Sequence, residues 1–278
     1  MLKNALKTAA NNRNDYRYHI RHRDTAYKII RAIEKKQGKI NQEFKKLSLR
    51  YAVDVFGSKK YAPWLYVYAA VAGEFKEGWI PENFYGAAVL PRMKGHYGYM
   101  SNLKPAANFV FRSGFFPDTA YYINGLFLDA GLSIVPENNI KKLLFKDSER
   151  AVFKIDNSLQ GRGVFFFTKN GFSTEKVKAL GNGVFQRYIK HHPFFDRFSR
   201  GAAATIRITT VVEDNGNVSA RACFVRLGRE NQTHIQSKSQ ICVPVDMSTG
   251  KLSHRGYLAD LTYITEHPDS KVKFEGNI

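Results

Sequence analysis

Eight short apolar or alternating runs follow one another between residues 120 and 246, and they limit the possible folds more than any other feature: AYYI, LFLD, AVFKI, VFFF, VFQRYI, TIRITTVV, SARACFVRL and ICVPVD. Runs this short, rich in aromatic and β-branched residues and bounded by turn formers, read as strands. Asn124-Gly125 separates AYYI from LFLD, and EDNGN (213–217) separates TIRITTVV from SARACFVRL. An Asn-Gly pair between two strands marks a tight hairpin, because both turn residues need a positive φ. The sheets are therefore expected to be antiparallel. ENNIKKLL and TEKVKAL read as helices between the runs.

Upstream the texture is different. Ile29, Ile30, Ile33, Phe44 and Leu47 recur at helical spacing within 25–56. YAPWLYVYAAVAG (61–73) reads as core, and 79–105 is irregular and rich in turn formers. The expected class is α+β: a helical N-terminal region, then antiparallel hairpins flanked by helices. Three regions are expected: 1–78, helical and basic; 79–185, carrying a glycine-loop hairpin; and 186–278. There are no internal repeats.

Composition narrows the class. Hydrophobic residues are 44% of the 278, ample for a core. No stretch approaches the roughly 18 continuous apolar residues of a membrane-spanning helix. The first residues are basic without the apolar centre of a secretory signal. Cys223 and Cys242 are the only cysteines, and no CxxC occurs, so neither a disulfide framework nor a structural zinc site is expected. A reduced, cytoplasmic setting is expected. Lys plus Arg exceed Asp plus Glu by 43 to 24, a net charge of +19. Such an excess suits polyanions: nucleotide phosphates, an anionic membrane surface or nucleic acid. RNDYRYHIRHR (13–23) is the densest basic cluster, but no nucleic-acid-binding signature accompanies it.

The stretch with most chemical content is VFKIDNSLQGRGVFFF (152–167): strand, loop with Ser158, Gly161, Arg162 and Gly163, strand. A Walker A loop, GxxxxGK[ST] leading into a helix, is absent. GxGxxG is absent too, and a strand follows the glycines where a dinucleotide fold needs a helix. The HRD and DFG partners of a protein kinase are also missing. A glycine-bearing hairpin tip can still fold over a triphosphate, because its backbone N–H groups approach the phosphates unobstructed. The competing reading is an ordinary hairpin loop, with Lys154 a surface lysine.

FKIDNSLQGRGVFFF resembles the phosphate-covering loop of the ATP-grasp superfamily. Further stretches, in order, resemble its sugar-transfer-associated branch from cell-surface polysaccharide loci: YYINGLFLD, VFQRYIKHHP, ATIRITTVVEDNGNVSARACFVRLGR, VPVDMSTGKL and EHPDSKVKFEG. The resemblance covers about residues 80–278. It implies ATP and Mg2+, and activation of a carboxylate through an acyl phosphate that a nucleophile then attacks. Neither the carboxylate nor the nucleophile can be read from it. A nucleotide-binding relative without turnover is the alternative.

The resemblance also implies roles for residues. Lys154 holds the phosphates, and Ser158, Gly161, Arg162 and Gly163 cover them. Gln186, Arg187, Tyr188 and Ile189 form the adenine hinge, although Arg187 stands where an acidic residue is usual. Asp196, after His191 and His192, lies where ribose is held. Lys104 falls near the first nucleotide lysine. Arg207, Arg226 and Arg229 face the phosphoryl site. Arg207 lies in a run that alternates like a half-buried strand, where an arginine needs a partner. The usual Asp-Asn and Gly-Gly after the last arginine are missing, with Asn231 and Ser239-Gln240 nearby. Magnesium needs oxygen ligands. Glu275 and Asn277 form a terminal E-x-N, and Asp246 and Asp260 are further acidic candidates. EHPDSKVKFEG, however, resembles a segment that precedes the metal-binding strands. The expectation is a chain that stops short of that site.

Overall fold

In the computed structural model, which describes residues 2–111, 113–229 and 232–275 (residues 2–12 and Ser101 by backbone alone), the chain folds as two units. The first is Met1–Gly95 with Tyr257–Ile264, and the second is His96–Gly256 with Thr265–Ile278.

The first unit is helical. α1 (Leu2–Gln37) ends before Gly38, whose φ of +89° stops it. α2 (Gln42–Phe56) starts at Asn41, whose side chain accepts from the Glu43 N–H at 2.8 Å, and ends at Gly57, φ +74°. α3 (Ala62–Ala72) is apolar all round, and Leu65, Val67 and Ala69 are fully buried. Its Val67 packs with Ala26, Ile30 and Ile40. Residues expected to be irregular are short helical pieces: α4 (Glu82–Phe84), a π-helical turn (Tyr85–Val89) and α5 (Leu90–Lys94).

The second unit opens with a 3-10 stretch (Tyr97–Asn102) and α6 (Lys104–Phe111). The first sheet contains β1 (Asp118–Ile123), β2 (Leu126–Asp129), β3 (Arg150–Ile155), β4 (Val164–Thr168) and β5 (Gly183–Arg187), in the order β2-β1-β5-β3-β4. Every pairing is antiparallel. Asn124 and Gly125 have φ of +49° and +89°, as the hairpin turn requires.

Strand alternation then separates two faces. One carries Ala151, Phe153, Phe167 and Phe185, and buries them against Ile140 and Leu144 of α7 (Glu137–Leu144) and Val177 of α8 (Thr174–Leu180). Phe153 and Phe185 pair across the sheet, ring centroids 4.6 Å apart. The other face carries Arg150, Val152 and Lys154 of β3, Phe166 of β4 and Gln186 of β5.

The second sheet is built on β6 (Thr205–Val212), β7 (Val218–Leu227) and β8 (Ile241–Pro244), again antiparallel. Gly216, φ +81°, turns the β6–β7 hairpin. Two short strands, β9 (Gly256–Tyr257) and β10 (Tyr263–Ile264), flank a turn closed by Leu258 N–H to Thr262 O at 3.0 Å.

Two expectations need correction. β6 is exposed along its whole length, so Arg207 is not half-buried. Its guanidinium lies over the Phe224 ring at 6.0 Å. The run alternates in sequence, but nothing among the described residues covers either face of this edge strand. The VFQRYI run also ends early. β5 stops at Arg187, whose N–H bonds to Pro117 O at 2.9 Å just outside β1. The chain is thus an α+β fold with a helical N-terminal region and two antiparallel sheets.

Candidate functional site

The glycine loop joins β3 to β4 and is closed from inside. Ile155 N–H bonds to Gly163 O at 3.0 Å, and Ser158 Oγ donates to Ile155 O at 2.7 Å. Asn157 and Gln160 adopt positive φ, +54° and +61°, and Gly161 has +79°. A Cβ on Gly163 would overlap Ser158 and Ile155, so only glycine fits there.

Lys104, at the start of α6, holds this loop from below. Its Nζ donates to Ile155 O at 2.6 Å, Ser158 O at 3.0 Å and Ser158 Oγ at 2.9 Å. All three ammonium protons are thereby engaged. Its backbone N–H donates to Asp156 Oδ1 at 2.9 Å. The loop tip is held from the other side by His234. Its Nε2–H donates to Gly161 O at 2.9 Å, while the Thr233 hydroxyl lies 3.1 Å from Nδ1. A cavity of about 210 Å3 lies between, lined by Gln160, Arg162, His234, Gln236 and Lys238 among others.

Lys154 stands on the second face of the first sheet, half-buried, beside the buried Val152 and Val184. Burial holds its pKa below the ordinary lysine value, which the Asp118 charge partly offsets. Lys104 is shifted the same way, first by burial, with Asp156 opposing and the Lys154 charge adding to the shift. Asp118 itself is held by Gln186 Nε2 at 2.7 Å and by the Tyr121 hydroxyl at 3.1 Å.

Of the expected hinge residues, Gln186 and Arg187 end β5, and Tyr188 and Ile189 leave the sheet. Ile189 is exposed and so is Arg187, while the Tyr188 ring meets Phe166 edge-on at 6.1 Å. Arg150 lies over that ring at 5.4 Å. Two adjoining cavities of about 540 and 530 Å3 share Arg150, Tyr188, Arg200 and Gly201. Each is within the usual size of small-molecule sites, and an aromatic shelf with arginines at its edge suits a flat, anionic ligand.

Asp196 lines the second of these cavities and accepts from His191 Nε2–H at 3.0 Å. His191 Nδ1 accepts from Ala204 N–H at 2.8 Å, which fixes the tautomer. His191 is therefore a clamp between the hinge and the loop that follows it. His192 Nδ1 accepts from Phe194 N–H at 3.2 Å.

The three arginines are set differently. Arg226 Nε donates to Gln240 Oε1 at 2.7 Å, and its pKa is lowered by burial and then by the Arg207 charge. Arg229 makes a bidentate pair with Asp269: Nε to Oδ2 at 2.7 Å, and Nη2 to Oδ1. His267, fully buried, donates from Nε2 to Gly228 O at 3.0 Å and steadies the same corner.

Among the described residues, no three of His, Cys, Asp and Glu gather where they could hold a metal ion. Glu275 is exposed, and Asn277 lies outside the described residues, as does Asn231. Asp246 makes its own turn, accepting from Ser248 N–H at 2.8 Å and Thr249 N–H at 3.0 Å. Asp260 accepts from Thr262 N–H at 3.0 Å. Among the described residues, the acidic side chains therefore do not gather into a magnesium site.

Sequence reasoning did not single out Arg150, Phe166, Arg200, Asp118 or His234. Arg150 had a signal, since it shares the strand parity of Lys154. The others are assembled by strand pairing and loop packing and have none.

The first sheet thus joins β3, with its half-buried Lys154, to β4 through a glycine-bearing loop held by Lys104 and His234. The family model described as sugar-transfer associated ATP-grasp matches residues 162–278, so that stretch of the chain is similar to that family. The match begins within the glycine loop, so Lys104, Lys154, Ser158 and Gly161 precede it. No curated protein and no solved structure matches the chain.

Proposed function

We propose that this protein binds ATP on the Lys154 face of its first sheet and uses it to activate a carboxylate for ligation in cell-surface polysaccharide synthesis. The observation that carries the proposal is the half-buried Lys154 on the strand that leads into a glycine loop held by Lys104 and His234. Lys154 holds phosphate charge, because its own solvation has been removed and an anion restores what burial took away. The backbone N–H groups around Gly161 and Gly163 close over the phosphates, with Ser158 and Arg162 beside them. Phe166 and Tyr188 shelve the base, with Gln186, Arg187 and Ile189 at its edge, and Asp196 stands near the sugar. Bound ATP supplies the phosphoryl group that turns a carboxylate into an acyl phosphate. Arg207 and Arg226 lie on one face of the second sheet, unpaired with any carboxylate among the described residues, and stabilise the charge that develops during transfer. No step is assigned to a metal, and Glu275 and Asn277 are not assigned one. Sugar-derived acids and amines are the carboxylates and nucleophiles to screen.

A second reading, nucleotide binding without turnover, is favoured by Arg229. Its charge is already matched by Asp269, which leaves it less to offer a transferred phosphoryl group.

The test is a thermal melt with and without Mg-ATP, beside Lys154→Ala. A ligand at a hundred times its dissociation constant stabilises by about 2.7 kcal/mol, which a melt resolves. A shift lost in the variant supports the site. No shift with a well-folded chain removes it. ADP release with candidate acids and amines then separates ligation from binding alone.

A further inference from the structure

From His96 to Pro117 the sequence carries no acidic residue, yet it carries Lys104 and Arg112. Aromatic side chains stand out of the surface in the same stretch. Tyr97 is 85% exposed, Phe109 60%, Phe111 69% and Phe115 93%, with Tyr99 beside them in sequence. Single exposed apolar residues are ordinary, but several large rings within one short segment mark a surface that is covered by something. Two features identify the cover. Phe and Tyr at the ends of short helical pieces are the side chains that settle at a headgroup boundary. An acid-free, basic setting in a chain of net charge +19 selects an anionic partner.

We propose that the segment Tyr97–Phe115 docks on an anionic lipid bilayer, with its aromatic side chains at the headgroup level. No helix among the described residues is long and apolar enough to cross a membrane, so the contact is peripheral. It does not depend on the nucleotide reading, but it bears on it. Asn157 of the glycine loop donates from Nδ2 to the Tyr99 hydroxyl at 3.1 Å and from its backbone N–H to Asn102 O at 3.2 Å. With Lys104 holding the same loop, the docking segment is joined directly to the loop over Lys154. Docking thus brings that loop to the bilayer.

The test is sedimentation of the whole chain with phosphatidylcholine vesicles, pure or with phosphatidylserine at one lipid in three. Binding about tenfold tighter to the anionic vesicles is expected. The triple variant Phe109→Ser, Phe111→Ser, Phe115→Ser should lose at least about tenfold in that binding while keeping its melting temperature. Should the triple variant fail to fold, Phe115→Ser alone, the most exposed position, reads the same loss in smaller degree. Wild-type chain that ignores anionic vesicles overturns the proposal. So does binding that survives the serine variants but disappears with Arg17→Glu, Arg21→Glu and Arg23→Glu, which assigns the surface to α1. Light scattering that finds a dimer, broken by the serine variants, with no vesicle binding, makes a second copy the occupant and overturns it as well. Comparing the Mg-ATP shift in wild type and variant separates failure of docking from failure of the nucleotide site.

Discussion

The Lys104 ammonium lies 2.9 Å from Ser158 Oγ and spends its remaining protons on the carbonyl oxygens of Ile155 and Ser158. A residue from one helix therefore fixes the shape of a loop more than fifty positions later. Lys104→Met removes three charge-assisted bonds and leaves the Ser158 carbonyl to find another donor, while Ile155 O keeps the Ser158 hydroxyl. We expect a loss of about 1–3 kcal/mol in urea unfolding, and weaker nucleotide stabilisation because the loop is no longer preorganised. If Lys104 instead held phosphate directly, the unliganded chain would unfold as wild type does while the nucleotide effect vanished.

Lys154 should behave in the opposite sense. Its pKa is depressed from 10.5, first by burial, and Asp118 only partly restores it. The unfolded chain binds this proton more tightly, so between the lowered folded value and about 10.4 the unfolded state carries more protons. Stability then rises with pH across that window. Below it the full penalty of burying the charge applies. Lys154→Met should therefore leave the unliganded chain equally or more stable at neutral pH, flatten the rise towards alkaline pH, and abolish the Mg-ATP shift. A variant that melts lower than wild type without ligand would show that Lys154 serves the fold.

Gly163 offers a steric test of the loop. A methyl group there would overlap Ser158 and Ile155, which close the loop on β3. We expect Gly163→Ala to cost about 1–3 kcal/mol as an overpacking change and to weaken nucleotide binding further. Gly216→Ala, in the β6–β7 turn with open space around it, should cost only what a φ of +81° imposes and leave binding unchanged. Equal effects of the two on binding would sink the assignment of the loop.

The hairpins were legible because each element carries its own signal. Asn124-Gly125 needs no distant partner to make a turn, and the parity of Val152, Phe153 and Lys154 already assigns them to opposite faces. Lys154 could be picked out because an ammonium inside an apolar run requires an explanation. Arg207 misled for the complementary reason: alternation says which residues share a face, not whether anything covers it, and β6 is an uncovered edge. The expected division at 185/186 falls inside β5, whose pairing with β1 and β3 unites residues far apart in sequence. Asp118 and Gln186 meet only through that pairing, 68 positions apart, so their contact had no local trace. His234 reaches Gly161 across 73 positions and was invisible for the same reason.

His191 provides a test of the hinge that does not depend on catalysis. Its ring accepts from the Ala204 N–H and donates to Asp196, and its side chain is 7% exposed. His191→Ala leaves a backbone donor without its partner, and about 1–3 kcal/mol of stability should be lost. Asp196→Asn keeps an oxygen that can still accept from Nε2–H, at a position half open to water, where the charge itself is worth little. That variant should therefore unfold within about 0.5 kcal/mol of wild type. If Asp196 also touches the sugar of a bound nucleotide, Asp196→Asn will reduce the Mg-ATP shift despite its near-normal stability. A shift as large as in wild type would limit Asp196 to holding His191.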